Sequence, residues 1–391
     1  MKKVNPLLIL TLAIGVFGII TTEMGIVGVL PQITQKFGIS TTQAGFLVSI
    51  FALVVAISGP FLILLVSSIN RKIILLTAIF AFVISNIIYA YTTQFEIMLI
   101  FRILPAALHP LFFSIALVTA AKLVPPEKSG QAVTKVFMGI TVGFALGVPL
   151  TSYLADQFSL EIAFLFGALV NTLAFIGILI LLPSMPVKEK MSFGKQIRIL
   201  GKPGLWLNIL TVTFLFAAMF SVYSYFAEYL AKVTSMNGSL ISIMLFIFGI
   251  VMILGNHLFG SLLQKSIVNT VILFPILYSI VYILVYYLGS YLVPMIFIVF
   301  IWGIVHAGGL IVGQTWLISE AKEAPEFGNS LFVSFSNLGI TLGTTIGGWF
   351  ISNLGIHQLI WSGFIFTLLS FLLIIIKLKF FNSNSQASLS S

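Results

Sequence analysis

A few ionisable side chains lie inside long apolar segments of this 391-residue chain, in which only 7% of residues are charged. Glu23 lies in the first such segment, Arg102 and His109 in the fourth, and His306 in the tenth. A charged side chain at the centre of a membrane costs about 3 kcal/mol or more, so it is found mainly where charge is bound or carried. Glu23 is therefore the first functional candidate.

Glu23 and Arg102 are predicted to lie at similar depth. The first segment ends near Leu30 at one membrane face, and the fourth starts from that face at about Ile97. With a rise of 1.5 Å per residue, Glu23 lies ~10 Å and Arg102 ~8 Å inside it. The two are expected to pair, because either charge alone would be buried and uncompensated. One interpretation makes Glu23 a protonation site whose attraction to Arg102 weakens on protonation; the alternative is a permanent ion pair that fixes helix packing.

Further polar residues concentrate in every third segment, which predicts one shared, water-accessible cavity. His109 lies two turns after Arg102 on the same face. His109 and His306 lie near the centres of their segments, where an imidazole either orients a substrate or carries a proton, or is simply a hydrogen-bonded interior residue. A metal held by the two histidines is disfavoured because no third ligand is evident. The remaining substrate-site candidates are Tyr223, Tyr225, Glu228, Gln314 and Asn337, with an ordinary interfacial carboxylate as the alternative for Glu228.

The elements that must position these residues are apolar helices. Hydrophobic residues make up 59% of the chain, more than a soluble core of this size would hold. Segments of 18 or more mainly apolar residues can each cross a bilayer as a helix. The sequence predicts an all-α polytopic membrane protein with twelve transmembrane helices. The predicted spans are 6–30, 44–67, 73–91, 97–122, 133–154, 161–182, 206–230, 239–261, 268–289, 293–318, 328–352 and 358–376.

The net charge of +9 reports membrane topology. If the N-terminus is cytoplasmic, all but three of the 19 basic residues fall on the cytoplasmic side, with Lys36 and Lys232 outside and Arg102 within a helix. This positive-inside distribution predicts that both termini are cytoplasmic and disfavours a nucleic-acid partner. The chain has no cysteine, which excludes disulfides and thiolate metal sites.

An internal repeat supports a division into two halves. Gly139, Gly143 and Gly147 in the fifth segment recur 200 residues later in the eleventh. With Pro149, these glycines are predicted to let another helix approach closely. The predicted organisation is an N-terminal six-helix half at 1–185, a cytoplasmic loop at 186–205, a C-terminal six-helix half at 206–380 and a disordered tail at 381–391. Two pseudo-symmetric halves of this kind place a central cavity at the bilayer midplane.

Short motifs occur in five segments. They are Thr22-Glu23 with Gly28-Val29-Leu30-Pro31, Arg102 with His109, Gly139-x3-Gly143-x3-Gly147-x-Pro149-Leu150, Tyr223-Ser224-Tyr225, and Trp302-Gly303. From Pro6 to Lys377 the chain resembles the major facilitator superfamily, in its bacterial drug:proton antiporter branch with sugar, arabinose and purine efflux transporters. One motif departs from the family pattern. After the second helix the family carries Gly-x3-Asp-Arg-x-Gly-Arg-Arg/Lys, and the aligned positions here are Ile63, Ser67, Ser68, Asn70, Arg71 and Lys72.

The resemblance implies a proton-coupled exporter of a sugar, nucleobase or drug that works by alternating access, with Glu23, Arg102 and His109 coupling protons to substrate. It implies no enzyme activity and no cofactor. It also implies a bacterial cell membrane location and function as a monomer among lipids. A proton-independent facilitator or uniporter of a small polar metabolite is the alternative, and a non-transporting receptor is disfavoured because no sizeable soluble domain is predicted.

Overall fold

The computed structural model describes residues 6–66, 69–125, 128–186 and 198–380, and nearly all of them are helical. The α-helices of this part are α1 Pro6–Phe37, α2 Thr41–Leu65, α3 Arg71–Tyr91, α4 Phe95–Lys122, α5 Ser129–Val142, α6 Val148–Gln157, α7 Leu160–Leu181, α8 Pro203–Tyr223, α9 Phe226–Lys232, α10 Gly238–Lys265, α11 Ile267–Leu288, α12 Leu292–Ser319, α13 Pro325–Leu354 and α14 Leu359–Phe380. A π-helical turn, Gly143–Gly147, joins α5 to α6, and short 3-10 turns cover Arg198–Gly201 and Ile356–Gln358.

The predicted all-helical membrane architecture is confirmed. In the described residues, eleven helical segments are long and apolar enough to cross a membrane. The remaining predicted crossing, the eleventh along the chain, is α13. This 30-residue helix is long enough to cross a membrane but less apolar than the others, because serine, threonine and asparagine recur along it. The fifth crossing consists of α5, the π-helical turn and α6, and the seventh of α8 and α9.

The predicted end of the first helix is wrong. Its apolar run ends near Leu30, but α1 continues through Pro31 to Phe37. Glu23 therefore lies 14 residues, or ~21 Å, from the end of its helix. The predicted match in depth between Glu23 and Arg102 holds, because Arg102 reaches the carbonyl oxygen of Glu23 at 2.8 Å. The extension carries Gln32, Gln35 and Lys36. These polar residues end the apolar run that a hydropathy pattern detects, but glutamine and lysine are good helix formers and the helix continues through them.

Contacts between Cα atoms divide the helices into two compact units. The described residues within Met1–Met191 and Met236–Gly249 form the first unit, and those within Ser192–Ser235 and Ile250–Ser391 form the second. The first part of α10 thus clusters with the first unit. The boundaries of the halves at 185 and 206 stay a prediction. Most of the predicted loop at 186–205 and all of the tail at 381–391 lie outside the described residues.

In the first unit, the glycines of the fifth crossing face α1. A Cβ added at Gly139 would lie 2.5 Å from the carbonyl oxygen of Ala13, and one at Gly143 would lie 2.5 Å from Cγ2 of Ile20. A Cβ at Gly147 would collide with the hydroxyl of Thr21. The absence of side chains at these three positions lets the helices approach closely, as the sequence predicted. From Gly143 to Gly147 the α-helical hydrogen-bond pattern changes to that of a π-helical turn, just before Pro149 near the start of α6.

The second unit repeats this packing with the same offset of 200 residues. Gly339, Gly343 and Gly347 on α13 face α8, where an added Cβ would collide with the carbonyl oxygens of Thr213, Ala217 and Ser221, respectively. In the first unit, the glycines at 139, 143 and 147 meet the backbone of Ala13, Phe17 and Thr21. The glycine-bearing helix and the helix it packs against are thus both repeated with an offset of 200 residues. This shared packing supports internal duplication more strongly than the repeated glycines do by themselves.

Replacing Gly343 by alanine is expected to destabilise the protein, because the new methyl group would press on the Ala217 backbone, which cannot rotate away as a side chain can. Overpacking of this kind typically costs about 1–3 kcal/mol. Gly260→Ala is the matched control, since nothing lies within 4 Å of its added Cβ. Thermal unfolding in detergent should rank Gly343→Ala below Gly260→Ala; equal midpoints would contradict the packing.

Candidate functional site

Arg102 is buried completely and is held by backbone carbonyl groups. Its Nε donates to the carbonyl oxygen of Leu47 at 3.0 Å, Nη1 to that of Thr22 at 2.9 Å and Nη2 to that of Glu23 at 2.8 Å. The guanidinium carbon also lies 4.5 Å from the centre of the Phe51 ring, a cation–π distance. One side chain of α4 thereby fastens α1 and α2, using the planar fork of donors that only arginine has.

The predicted pair between the Glu23 carboxylate and Arg102 is not formed. Oε2 of Glu23 lies 3.2 Å from Nε2 of His109, and both side chains are nearly buried, with 7% and 8% exposed. The guanidinium instead takes the backbone oxygen of the same glutamate. Glu23 and Arg102 are neighbours, as predicted, but a carbonyl on α1 binds the arginine without bringing the carboxylate to it. The contact of the carboxylate with His109 was not predicted.

The contact of Glu23 with His109 is close but not locked. Within the described residues neither ring nitrogen of His109 meets hydrogen-bond geometry, although Nε2 is within ion-pair distance of the carboxylate. The imidazole packs against two phenylalanines, with ring centres 4.5 Å from Phe113 and 5.8 Å from Phe51. An imidazole and a carboxylate at this distance attract each other when the imidazole is protonated and much less when it is neutral.

A buried polar junction precedes Glu23 on α1. The hydroxyl of Thr22 lies 2.8 Å from Nδ2 of Asn86 on α3 and 3.1 Å from Nδ2 of Asn171 on α7. Both asparagines are essentially without solvent exposure. These two residues come from the third and sixth segments, outside the set of segments in which the sequence analysis placed the polar candidates, and they face α1. Their signal in the sequence was weak, because asparagine is not ionisable, yet an amide in an apolar helix needs a partner.

His306 belongs to a separate aromatic cluster in the second unit. Its Nδ1 lies 2.8 Å from the hydroxyl of Tyr278, which accepts a hydrogen bond from Nε1 of Trp302 at 3.0 Å. The indole can only donate, so the Tyr278 oxygen accepts from it and keeps its own proton and a second lone pair for other contacts, His306 Nδ1 among them. All three side chains are fully buried.

The seventh crossing places its three candidates differently. The ring of Tyr223 lies 4.7 Å from that of His306, so these two candidates do meet. Tyr225 is buried and donates its hydroxyl to the carbonyl oxygen of Thr344 at 2.9 Å, which makes it a link between α8–α9 and α13. Glu228 is 2% exposed and pairs with Lys232 one turn later, at 2.6 Å.

Gln314 and Asn337 lie on α12 and α13 of the second unit. Nε2 of Gln314 donates to Oδ1 of Asn329 at 3.1 Å. Asn337 is buried and donates to the carbonyl oxygen of Val333 on its own helix at 2.9 Å. Among the described residues, Oδ1 of Asn337 and Oγ of Ser334 are buried without a hydrogen-bond partner.

Lys377, which the sequence analysis places on the cytoplasmic side just beyond the last predicted span, is a buried residue. It is 2% exposed, and its Nζ lies 2.9 Å from Oε1 of Glu320 and 2.7 Å from Oδ1 of Asn208. It also lies 4.0 Å from the centre of the Trp316 ring. Because α14 continues to Phe380, a lysine expected just beyond the helix end lies within it and joins α8, α12 and α14.

The region after α2 departs from the family motif, and Ser67 and Ser68 in it lie outside the described residues. Asn70 caps α3 by accepting from the backbone of Lys72 at 3.0 Å, and its Nδ2 donates to Ser184 at 2.7 Å. Lys72 donates to the carbonyl oxygen of Leu179 at 2.8 Å. This corner lacks the aspartate of the family motif and holds α3 to the end of α7 by hydrogen bonds that need no carboxylate.

The hydrogen bonds of Arg102 to backbone carbonyl groups can be tested by measuring the stability of variants. Arg102→Lys should lower the unfolding midpoint strongly, since one ammonium group cannot reach all three carbonyls and each hydrogen bond to a charged group that is lost costs about 1.5–3 kcal/mol. Glu23→Gln should lower it much less, because the backbone oxygen of residue 23 is kept. Thermal unfolding of both variants in the same detergent decides the matter. If Glu23→Gln destabilised as much as Arg102→Lys, the carboxylate would be the true partner of the guanidinium.

Comparisons with known proteins agree with this architecture. The sequence profile of the Major Facilitator Superfamily matches residues 12–325 and, in a second match, 209–390. The inner membrane transport protein YdhP of Escherichia coli K12 is 29% identical over 355 residues, covering 90% of each chain, and the putative transporter AraJ of the same organism is 31% identical over 262 residues, covering 67% of this chain and 66% of AraJ. The crystal structure of the nucleoside transporter NupG superposes with a TM-score of 0.75 at 15% identity, covering 96% of this chain and 98% of NupG. The chain therefore belongs to the Major Facilitator Superfamily of multi-pass membrane transporters.

Proposed function

We propose that this transporter exports a small molecule in exchange for protons, by alternating access, and that Glu23 and His109 together hold the exchangeable proton. The observation that carries the proposal is the 3.2 Å contact between these nearly buried side chains, well inside α1 and α4. A carboxylate and an imidazole kept from lipid, close to each other and not locked by hydrogen bonds, form a pair in which gain of one proton changes the mutual attraction.

Arg102 takes a structural role in this proposal. Its three hydrogen bonds go to backbone oxygen atoms, which do not titrate. Protonation of Glu23 therefore leaves those bonds intact, and the switch is confined to the carboxylate and the imidazole.

The substrate we propose is a polar, neutral or weakly charged small molecule such as a sugar or nucleobase, with drugs as a further class. Two features of the second unit support this. Asn337 and Ser334 offer buried oxygen atoms without partners among the described residues. The rings of Tyr223 and His306 lie side by side, 4.7 Å apart. Tyr225, Glu228 and Gln314 remain candidates, although each already has the partner described above.

The proposal includes a bacterial cell membrane location, cytoplasmic termini and a working monomer. The relatives named above include an inner membrane transport protein, which supports the location. Movement of each proton down a potential of 100 mV supplies about 2.3 kcal/mol, enough to drive roughly a 50-fold concentration of substrate.

Glu23→Gln is expected to abolish proton-driven transport while leaving the protein folded, because the amide cannot take up and release a proton. Purified protein in liposomes with an imposed pH gradient would be tested with radiolabelled L-arabinose, adenine and tetraphenylphosphonium, alongside a pH-sensitive dye. Glu161→Gln is the matched control, since it removes a carboxylate that is 41% exposed and paired with Lys36.

Unimpaired proton-driven transport in Glu23→Gln would remove Glu23 from the mechanism. Flux of any of the three probes by the wild type with no accompanying pH change would favour a uniporter instead.

His109→Gln tests the second member of the pair. Side chains in contact typically interact by about 0.5–3 kcal/mol, so loss of the imidazole beside Glu23 should slow proton-driven transport by roughly 2- to 100-fold. The exposed His257 provides a control substitution, His257→Gln, which should leave the rate unchanged. Equal rates for the two variants would show that Glu23 works without its neighbour.

A further inference from the structure

We infer that Thr22 is the positioning residue of the proposed proton site, and that its hydroxyl sets the direction in which α1 presents Glu23. The inference rests on the proposed function for its meaning, since positioning matters only if the carboxylate works. The hydrogen bonds of Thr22 do not depend on that function. Thr22 directly precedes Glu23, and its side chain and main chain each bind neighbouring helices.

The hydroxyl of Thr22 is used to its full capacity. It donates its proton to the carbonyl oxygen of Gly18 at 2.9 Å. Its oxygen then accepts from Nδ2 of Asn86 at 2.8 Å and from Nδ2 of Asn171 at 3.1 Å. A hydroxyl has one proton and two lone pairs, so these three bonds complete it. The two amides come from α3 and α7, so one oxygen atom joins three helices.

The main chain of Thr22 is bound from a further helix. Its carbonyl oxygen accepts from Nη1 of Arg102 on α4 at 2.9 Å. Two glycines make room for the amides, since a Cβ at Gly167 would lie 2.6 Å from Oδ1 of Asn86 and one at Gly18 would lie 2.7 Å from Oδ1 of Asn171. The two glycines thus provide the space that the amides need to reach the hydroxyl of Thr22.

Fixing Thr22 fixes the direction of Glu23. Successive residues of an α-helix are ~100° apart around its axis. Because the hydroxyl of Thr22 is held toward α3 and α7, the side chain of Glu23 leaves α1 in a different direction, toward His109 on α4. That contact lacks hydrogen-bond geometry and cannot orient the carboxylate by itself. The orientation must come from the way α1 is held. Arg102 binds the carbonyl oxygen of Glu23 itself, and the adjacent hydroxyl of Thr22 adds the side-chain bonds that fix the rotation of α1 against α3 and α7.

Thr22→Val tests the hydroxyl with little change of shape, and it removes the acceptor of two buried amides. Thr22→Ser keeps the hydroxyl and should restore the wild-type behaviour. Thr11→Val is the matched control on the same helix, because the hydroxyl of Thr11 donates only to the carbonyl oxygen of Leu7, at 2.8 Å, within α1.

The readout is the infrared carboxylate band of Glu23 in protein reconstituted in phosphatidylcholine vesicles. Subtracting the spectrum of each variant with Glu23→Gln added isolates this band. We expect one band position for the wild type, Thr22→Ser and Thr11→Val, and a displaced band for Thr22→Val. If Thr22→Val does not fold, Asn171→Leu removes one of the two amides and should displace the band in the same way.

An unchanged band in Thr22→Val, or in Asn171→Leu where that variant is needed, would overturn the positioning role. The spectra also separate this inference from the proposed function. A displaced band together with unimpaired proton-driven transport in Glu23→Gln would overturn the coupling role of the carboxylate and leave its positioning by Thr22 intact.

Discussion

The hydrogen bonds of the buried Arg102 guanidinium to the carbonyl oxygens of Leu47, Thr22 and Glu23 are the interaction on which the first unit depends. A cation among apolar helices must be satisfied by the protein itself. A helical carbonyl has two lone pairs, and its own helix uses one of them. Arg102 binds the second ones, so it fastens α1 and α2 to α4 without breaking either helix, and it leaves the Glu23 carboxylate free to meet His109.

The two units use polar groups in different ways. In the first, a carboxylate and an imidazole meet beside a cation held by the backbone. In the second, His306 is hydrogen-bonded to Tyr278, which accepts from Trp302, in an aromatic cluster, and the buried cation described above, Lys377, is paired with Glu320. This difference is what leads us to assign proton exchange to the first unit and recognition of a neutral polar substrate to the second.

Sequence patterns predicted the helices, their duplication and the residues that meet, because each of these depends on side-chain type and spacing. The glycines at 139 and 339 show this most clearly, since each packs against a helix at the same relative position. The partners of Arg102 were beyond prediction, because backbone carbonyls are present at every residue and leave no pattern. Asn86 and Lys377 were misjudged for another reason: whether a single polar residue faces lipid, water or a neighbouring helix depends on helix rotation and on the true helix end.

The central claim is that the carboxylate of Glu23 interacts with His109 and that Arg102 is bound to the backbone. Nitrogen NMR of isotope-labelled protein in lipid bilayers tests this most directly, since the chain has only four histidines. Comparison of the wild type with Glu23→Gln should show a change in the imidazole signals of His109 and little change in the guanidinium signals of Arg102. Displaced guanidinium signals with unchanged His109 signals would contradict the account.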